Sequence, residues 1–302
     1  MHNDAVPQPK LQPTQRSYGD ALAVVTVTYS PGEALRRFLE TLDKATSREF
    51  QVVLADNGSM DGEPERAADR EGVHLMPMGG NLGYGTAANQ AIAALDDSIG
   101  WVVVANPDLE WDPDAIDTLL EAGSRWPHGA SFGPLIRRLD GSVYPSARLL
   151  PSLGRGMGHA VFGGIWPANP WTRDYLQERA GPSERAADWL SGSCLLLRRE
   201  AFDSVGGFDA RYFMYFEDVD LGDRLGQAGW LNIYVPSAGV MHLGAHSTSR
   251  VSSRMSAVHH DSAYRYLADR HRGWLWRPVL ALIRLGLALR LWLDTRRDAD
   301  SG

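Results

Sequence analysis

Residues 214–224 read MYFEDVDLGDR, with four carboxylates, Glu217, Asp218, Asp220 and Asp223, directly after an aromatic run. Adjacent acids at a helix start suit general-base chemistry, in which one carboxylate takes a proton from a hydroxyl. They equally suit helix capping, worth about 0.5–2 kcal/mol. Asp220 and Arg224 lie four apart, an ordinary helix pair of about 0.2–0.5 kcal/mol. Asp223 reads as part of a solvated face. The aromatics Tyr212, Phe213, Tyr215 and Phe216 could stack on a ligand or pack in the core.

Three further polar clusters stand elsewhere: Thr28-Tyr29-Ser30, Asp56-Asn57-Gly58 and Asn106-Pro107-Asp108. Asp56 can accept from a nucleobase imide N–H, or simply bond its own loop as an Asx-turn. Asp108 can hold a hard divalent cation that bridges a diphosphate, or act as a turn residue. His242 and His246 are four apart, but Gly244 between them argues for a loop. A structural histidine is the default for each; His242 joining Asp108 at a metal is the sharper alternative. The run from Gly83 to Ala88 fits the dinucleotide pattern GxGxxA. It begins too far past its strand for the tight turn which that pattern needs, which argues against a nicotinamide site.

These clusters need a scaffold. Residues 21–30, 51–59, 72–78 and 101–108 read as short apolar strands ending in turn residues. Leu35, Phe38, Leu39 and Leu42 mark one helix face. Residues 86–97 are Ala-rich and helical, and Ile116, Leu119 and Leu120 mark a further inward face. This alternation predicts an α/β domain with a largely parallel sheet, whose functional residues collect at the carboxyl ends of the strands. Beyond residue 129 the pattern is more irregular, with strands at 189–198 and 231–242 around the acidic helix. Residues 1 to about 17 are Pro- and Gln-rich and read as a disordered tail, not a signal peptide.

The chain of 302 residues carries a net charge of −7. Residues 245–302 contain ten Arg and five Asp, a basic segment on an acidic body. That balance excludes a general nucleic-acid binder and suggests an anionic surface such as a membrane. Residues 274–293, WLWRPVLALIRLGLALRLWL, are long enough to span a bilayer. Arg277, Arg284 and Arg290 would cost roughly 8–10 kcal/mol there, against roughly 5 gained from the aliphatics. An amphipathic helix lying in the interface is the expectation; packing on the domain or in an oligomer is the alternative. The single Cys194 rules out an internal disulfide, suits a reducing compartment and reads as a small buried hydrophobe.

The segments VTVTYSPG, LADNGSMDG, NLGYGTAAN, VVVANPD, WLSGSCLLLRREAFDSVGGFD and MYFEDVDLGDRLGQAGW resemble, in order and spacing, the family 2 inverting glycosyltransferases of the GT-A fold. The resemblance runs from about 21 to 247 and is strongest to rhamnosyltransferases. It implies a nucleotide-diphospho-sugar transferase fold, a Rossmann-like mixed sheet with flanking helices, over residues 18–247. Amphipathic helices over 248–302 follow. It implies a dTDP-β-L-rhamnose donor, a polyprenyl-diphosphate-linked acceptor and Mg²⁺ or Mn²⁺. It further implies a cytoplasmic enzyme peripheral to the inner face of the cell membrane, with a homo-oligomer possible.

By the same resemblance, Thr28 and Tyr29 line the nucleotide pocket and Asp56 contacts the base. Asn81, Gly83, Gly85 and Asn106 lie along the nucleotide-sugar, the glycines because a Cβ would block a backbone approach. Asp108 and His242 meet the metal. Asn106 stands where the family's first acid would be, which implies weaker metal dependence. Asp218 is the base and Glu217 orients the acceptor, with Trp189, Gly192, Tyr212 and Tyr215 beside it. The same chemistry on another sugar, or a scaffold that binds sugar-nucleotides without catalysis, are the competing readings.

Overall fold

The computed structural model describes residues 17–151, 183–244 and 252–300. The four expected apolar runs form β1 (Ala21–Thr28), β2 (Phe50–Asp56), β3 (Val73–Pro77) and β4 (Ile99–Ala105). The intervening helices are α1 (Ala34–Leu42), α2 (Glu63–Ala67) and α3 (Tyr84–Ala93). Then come β5 (Leu109–Trp111), α4 (Ala115–Arg125), β6 (Gly129–Arg138), β7 (Val143–Tyr144) and β8 (Ala147–Arg148). After residue 183 follow β9 (Arg185–Ala187), β10 (Trp189–Leu190), β11 (Cys194–Arg198), α5 (Arg199–Ser204), α6 (Glu217–Gln227) and β12 (Leu231–His242). Two long helices, α7 (Ser252–Arg270) and α8 (Arg277–Asp300), are joined by a 3₁₀ turn at Trp274–Trp276.

Ten strands make one sheet, in the order β3-β2-β1-β4-β11-β6-β12-β5, with β7 on β6 and β9 on β12. From β3 to β4 the sheet is parallel. Beyond β4 it is mixed, because β11 runs antiparallel to both its neighbours. The sheet is therefore mixed where the strand alternation alone predicted a largely parallel one.

Alternate residues of β1 feed opposite cores. Leu22 and Val24 pack with Leu35, Phe38 and Leu119 of α1 and α4. Ala23 and Val25 pack with Ala87, Ala88, Ile92, Phe202 and Leu221 of α3, α5 and α6. This is the period of two expected of a strand buried on both faces. The helix faces read from sequence, Leu35/Phe38/Leu39/Leu42 and Ile116/Leu119/Leu120, are the buried ones. Cys194 is fully buried, as expected of a small hydrophobe.

One expected strand is two. Residues 189–198 break at Ser191–Ser193, because β10 pairs with β8 in a separate two-stranded sheet while β11 joins the main one. The resulting corner lies beside the chemistry. The N-terminal tail before residue 17 and His246 lie outside the described residues.

Candidate active site

The chain leaves β1 toward β2 on one side and returns to β4 on the other. Loops that diverge in this way open a crevice at the carboxyl edge of the sheet. Thr28 stands in register with Asp56, and Thr26 with Ala105, so the three polar clusters share that edge.

Asp56 is buried and organises its own loop. It accepts from the Thr28 hydroxyl (2.8 Å), the Gly58 N–H (3.1 Å), the Ser59 N–H (3.0 Å) and the Ser59 hydroxyl. The turn-forming alternative therefore describes its bonds, and Thr28, with no exposed surface, stands behind it. Tyr29 is the open member of the cluster, 48% exposed. Asn57, the other turn residue of this cluster, fastens the next loop. It donates to the Gly83 carbonyl (3.2 Å) and accepts from the Leu82 N–H (3.3 Å).

The glycines of NLGYG have a protein reason. A Cβ on Gly83, at φ +84°, would lie 2.2 Å from the Phe213 carbonyl oxygen. A Cβ on Gly85 would lie 2.8 Å from the Phe208 Cβ. Both glycines let the α3 start dock against the segment before α6, so the expected close approach is by the protein's own chain. Asn81 is exposed and caps the turn through the Gly83 N–H (3.1 Å).

Asp108 and His242 meet. The His242 Nε2 lies 3.1 Å from the Asp108 Oδ1, both side chains about one-quarter exposed. β12 brings His242 there by pairing antiparallel with β5, His242 opposite Leu109. Among the described residues no third His, Cys, Asp or Glu completes a metal cluster.

The four acids of α6 now sort themselves. Phe216 is the N-cap, and no side chain caps the helix, so Glu217 and Asp218 occupy the first turn without a capping bond to its start. Asp218 accepts from the Gly192 N–H (2.8 Å) and the Val219 N–H (2.8 Å). Burial raises its pKa, opposed by those two N–H groups and by the charge of Arg148. Glu217 is buried, its Oε2 has no partner, and burial, helped by the Asp218 charge, pushes its pKa up to about 8. Burial thus favours the protonated form of Glu217 at neutral pH, while the two N–H groups and Arg148 favour the charged form of Asp218. Asp220 bonds Arg224 (2.7 Å), as its spacing predicts. Asp223 corrects the expectation of a solvated face: its side chain is 11% exposed, pairs with Arg270 and accepts from the Tyr266 hydroxyl (3.1 Å).

The corner at Ser191–Ser193 joins the two halves. Its Gly192 N–H holds Asp218, while the Ser193 carbonyl accepts from the Asn106 N–H (2.9 Å). Asn106, two residues before Asp108, and Asp218 are thus tied to consecutive residues of one corner. Tyr84 was not singled out from sequence. Its hydroxyl donates to the Gly192 carbonyl (2.8 Å). Burial and the charges of Glu217, Cys194, Asp218 and Asp108 raise its pKa well above the ordinary value. The only sequence signal for it was a hydroxyl-bearing ring inside a glycine loop.

Two expected acceptor contacts are corrected. Trp189 is 5% exposed and spends its indole N–H on the Leu149 carbonyl (3.0 Å), and Tyr212 is 1% exposed. Both belong to a small core with Val219 and Tyr266 that fixes α6 to α7. Gly192 acts through its backbone on Asp218, and a Cβ there would lie 3.2 Å from the Asp218 Cβ. Tyr215 is half-buried, edge-on to His259 of α7 at 5.3 Å.

A mixed sheet with flanking helices and a switch-point crevice, with an acid–imidazole pair and the Asp218 carboxylate at its edge, is the architecture of a nucleotide-sugar transferase of the GT-A type. The chain belongs to glycosyl transferase family 2, whose profile matches residues 23–206. It is 59% identical to the N-acetylglucosaminyl-diphospho-decaprenol L-rhamnosyltransferase of Mycobacterium tuberculosis, over 92% of this chain and 94% of that one. It is 26% identical to the rhamnosyltransferase WbbL of Escherichia coli, over 81% and 92% respectively. Among solved structures it shares its fold with a mannosyltransferase from Pyrobaculum calidifontis in complex with GDP-Man and Mn²⁺. The TM-score is 0.56 at 16% identity, over 97% of this chain and 79% of that one.

Proposed function

We propose that this protein transfers L-rhamnose from dTDP-β-L-rhamnose to N-acetylglucosaminyl-diphospho-decaprenol, with inversion at the anomeric carbon. The observation that carries the chemistry is the shared corner: Asn106, two residues before Asp108, bonds to Ser193, and Asp218 bonds to Gly192. The relative at 59% identity supports the donor and the acceptor.

Asp218 is the base. It accepts the proton of the acceptor hydroxyl as that oxygen attacks the anomeric carbon from the face opposite the diphosphate. A positioned base contributes about 10²–10⁴-fold in rate. The Gly192 N–H holds its carboxylate in line, Tyr84 holds Gly192, and burial keeps a proton on the neighbouring Glu217 up to about pH 8. Tyr29 is free to lie against the base of the nucleotide, and Asn81 and Asn106 border the nucleotide-sugar. Tyr215 lies beside the acceptor.

Asp108 and His242 fit a divalent cation. A hard carboxylate oxygen and an imidazole nitrogen stand close together, and only two protein donors leave positions for diphosphate oxygens. A bound Mg²⁺ or Mn²⁺ would neutralise the charge that develops on the departing diphosphate.

The C-terminal helices form the membrane-facing part, and residues 18–247 the catalytic part. No described helix is long and apolar enough to cross a membrane. α8 packs on α7, with Arg284 over the Tyr264 ring at 5.4 Å. Leu282, Leu285, Leu289 and Trp292 stay exposed, at 69%, 67%, 56% and 47%, along one face. One side of the helix packs on α7, and the exposed apolar face supports the reading of an interfacial helix. An in-plane helix suits an acceptor whose lipid stays in the cytoplasmic leaflet.

The test offers the protein a panel of nucleotide-sugars with polyprenyl-diphospho-N-acetylglucosamine. Rhamnose is the sugar expected in the product. Transfer of another sugar with rhamnose inert rejects the donor, and no transfer from any donor favours a non-catalytic scaffold.

A further inference from the structure

Two arginines beside the site have no ligand assigned to them so far. Arg138 ends β6, in register with His242 on β12. Arg148 ends β8, opposite Trp189 on β10. Tyr144 joins them: the two guanidinium carbons lie 5.1 and 5.0 Å from its ring centroid. Arg148 also lies 5.2 Å from the Trp189 ring. The segment is fixed to the catalytic corner, since the Ser191 N–H donates to the Ser146 carbonyl (2.8 Å).

Several arginines of this protein are neutralised by carboxylates: Arg125 by Glu184, Arg211 by Asp209 and Arg270 by Asp223. Arg138 and Arg148 are not. Arg138 donates to the Ser142 hydroxyl (3.1 Å), and the Arg148 Nε–H donates to the Pro145 carbonyl (2.6 Å). Among the described residues neither has a carboxylate within ion-pair distance. Guanidinium groups held over aromatic rings, with N–H groups to spare, form a preorganised anion site.

The position selects the anion. Arg148 is close enough for its charge to act on the Asp218 carboxyl. In an acceptor sugar whose anomeric oxygen bears a diphosphate, the attacking hydroxyl and that diphosphate are one ring apart. With the hydroxyl at Asp218, a diphosphate one ring away needs a cation beside the corner that holds Asp218, and Arg148, at the end of β8 next to that corner, is in place to supply it. The donor's diphosphate has its own pair, Asp108 and His242. We propose that Arg148 and Arg138, bridged by Tyr144, bind the diphosphate of the lipid-linked acceptor. This rests on the reading of the acceptor as a polyprenyl-diphosphate-linked sugar. It adds the residues that tell such an acceptor from a neutral glycoside.

The test is calorimetric titration of farnesyl diphosphate into the full chain, without divalent cation, with farnesol as the neutral control. Arg148→Ala and Arg138→Ala together weaken farnesyl diphosphate binding at least about tenfold, the loss expected for charge-assisted bonds. Farnesol and dTDP affinities stay as in the wild type. Arg138→Ala alone, at an exposed position, lowers the affinity without lowering Tm, which separates the effect from misfolding. Three results overturn the proposal: no binding of farnesyl diphosphate by the wild type, unchanged affinity in the double variant, or an equal loss of dTDP affinity. Failure of the functional reading looks different. A protein that binds farnesyl diphosphate through these arginines and transfers no rhamnose keeps the subsite and loses the reaction.

Discussion

Replacing Glu217 by Gln separates the two buried acids and tests which one does the chemistry. Glutamine has the shape of the protonated acid and cannot ionise. In the wild type, burial lifts Glu217 from 4.5 to about 8. The unfolded chain sheds this proton near 4.5, whereas the folded protein keeps it until about 8. A raised acid pKa means that the folded state binds more protons across this window, so its stability falls as pH rises, then levels off. At about 1.4 kcal/mol per unit, stability on the order of 5 kcal/mol is lost between those limits. For a chain of this size that corresponds to a Tm change on the order of 10 °C. Glu217→Gln should flatten most of the fall between pH 5 and 9 and raise Tm at pH 8. Its transfer rate, followed with labelled donor, should stay within about tenfold of the wild type, because the base remains. Asp218→Asn should lose about 10²–10⁴-fold with dTDP binding retained. A silent Glu217→Gln beside an active Asp218→Asn would reverse the roles. Wild-type turnover in both would remove the pair from the mechanism.

Gly83→Ala places a Cβ against the Phe213 carbonyl at positive φ, so it should cost about 3 kcal/mol or more and lower Tm. Lost dTDP binding at an unchanged Tm would instead show that the glycine serves the ligand. Tyr84→Phe removes the bond to Gly192 and should lower kcat about fivefold at unchanged dTDP affinity, from a bond worth about 1 kcal/mol. An unaltered kcat would remove Tyr84 from the support of Asp218. Leu282, Leu285 and Leu289 changed together to Ser should release the protein from anionic vesicles without lowering Tm, since these side chains are exposed. Continued sedimentation with lipid would place the anchor elsewhere.

The strands and amphipathic helix faces were legible because burial imposes periods of two and 3.6 on residues that must avoid water. The polar strand ends followed, since a parallel sheet exposes its loops at one edge. What the sequence hid was long-range. Nothing near Trp189 says that its indole reaches Leu149, or that β10 leaves the main sheet, because both depend on pairing with a segment some forty residues earlier. Asp223 looked solvated because its partners, Tyr266 and Arg270, lie on a later helix. Gly83 and Gly85 were visible as residues that need a close approach. Whether a ligand or the protein makes that approach is a tertiary fact.

The same long-range contacts explain how Asp218 is presented. Tyr215 and Phe216, directly before Glu217, both have left-handed φ, 66° and 68°. Such a conformation costs bulky side chains of order 1–3 kcal/mol each, and persists only where the surroundings over-determine it. α7 supplies that restraint. His259 packs edge-on to both rings at 5.3 and 5.6 Å, and Phe216 packs on Tyr266 at 5.7 Å. The Ser262 hydroxyl donates to the Met214 carbonyl (3.0 Å). The left-handed corner turns the chain into α6 so that Glu217 faces the interior and Asp218 faces Gly192. A relaxed corner would turn the first turn of α6 away from Gly192. α7 therefore fixes the orientation of Asp218, and α8, which packs on α7, joins that support to the exposed apolar face.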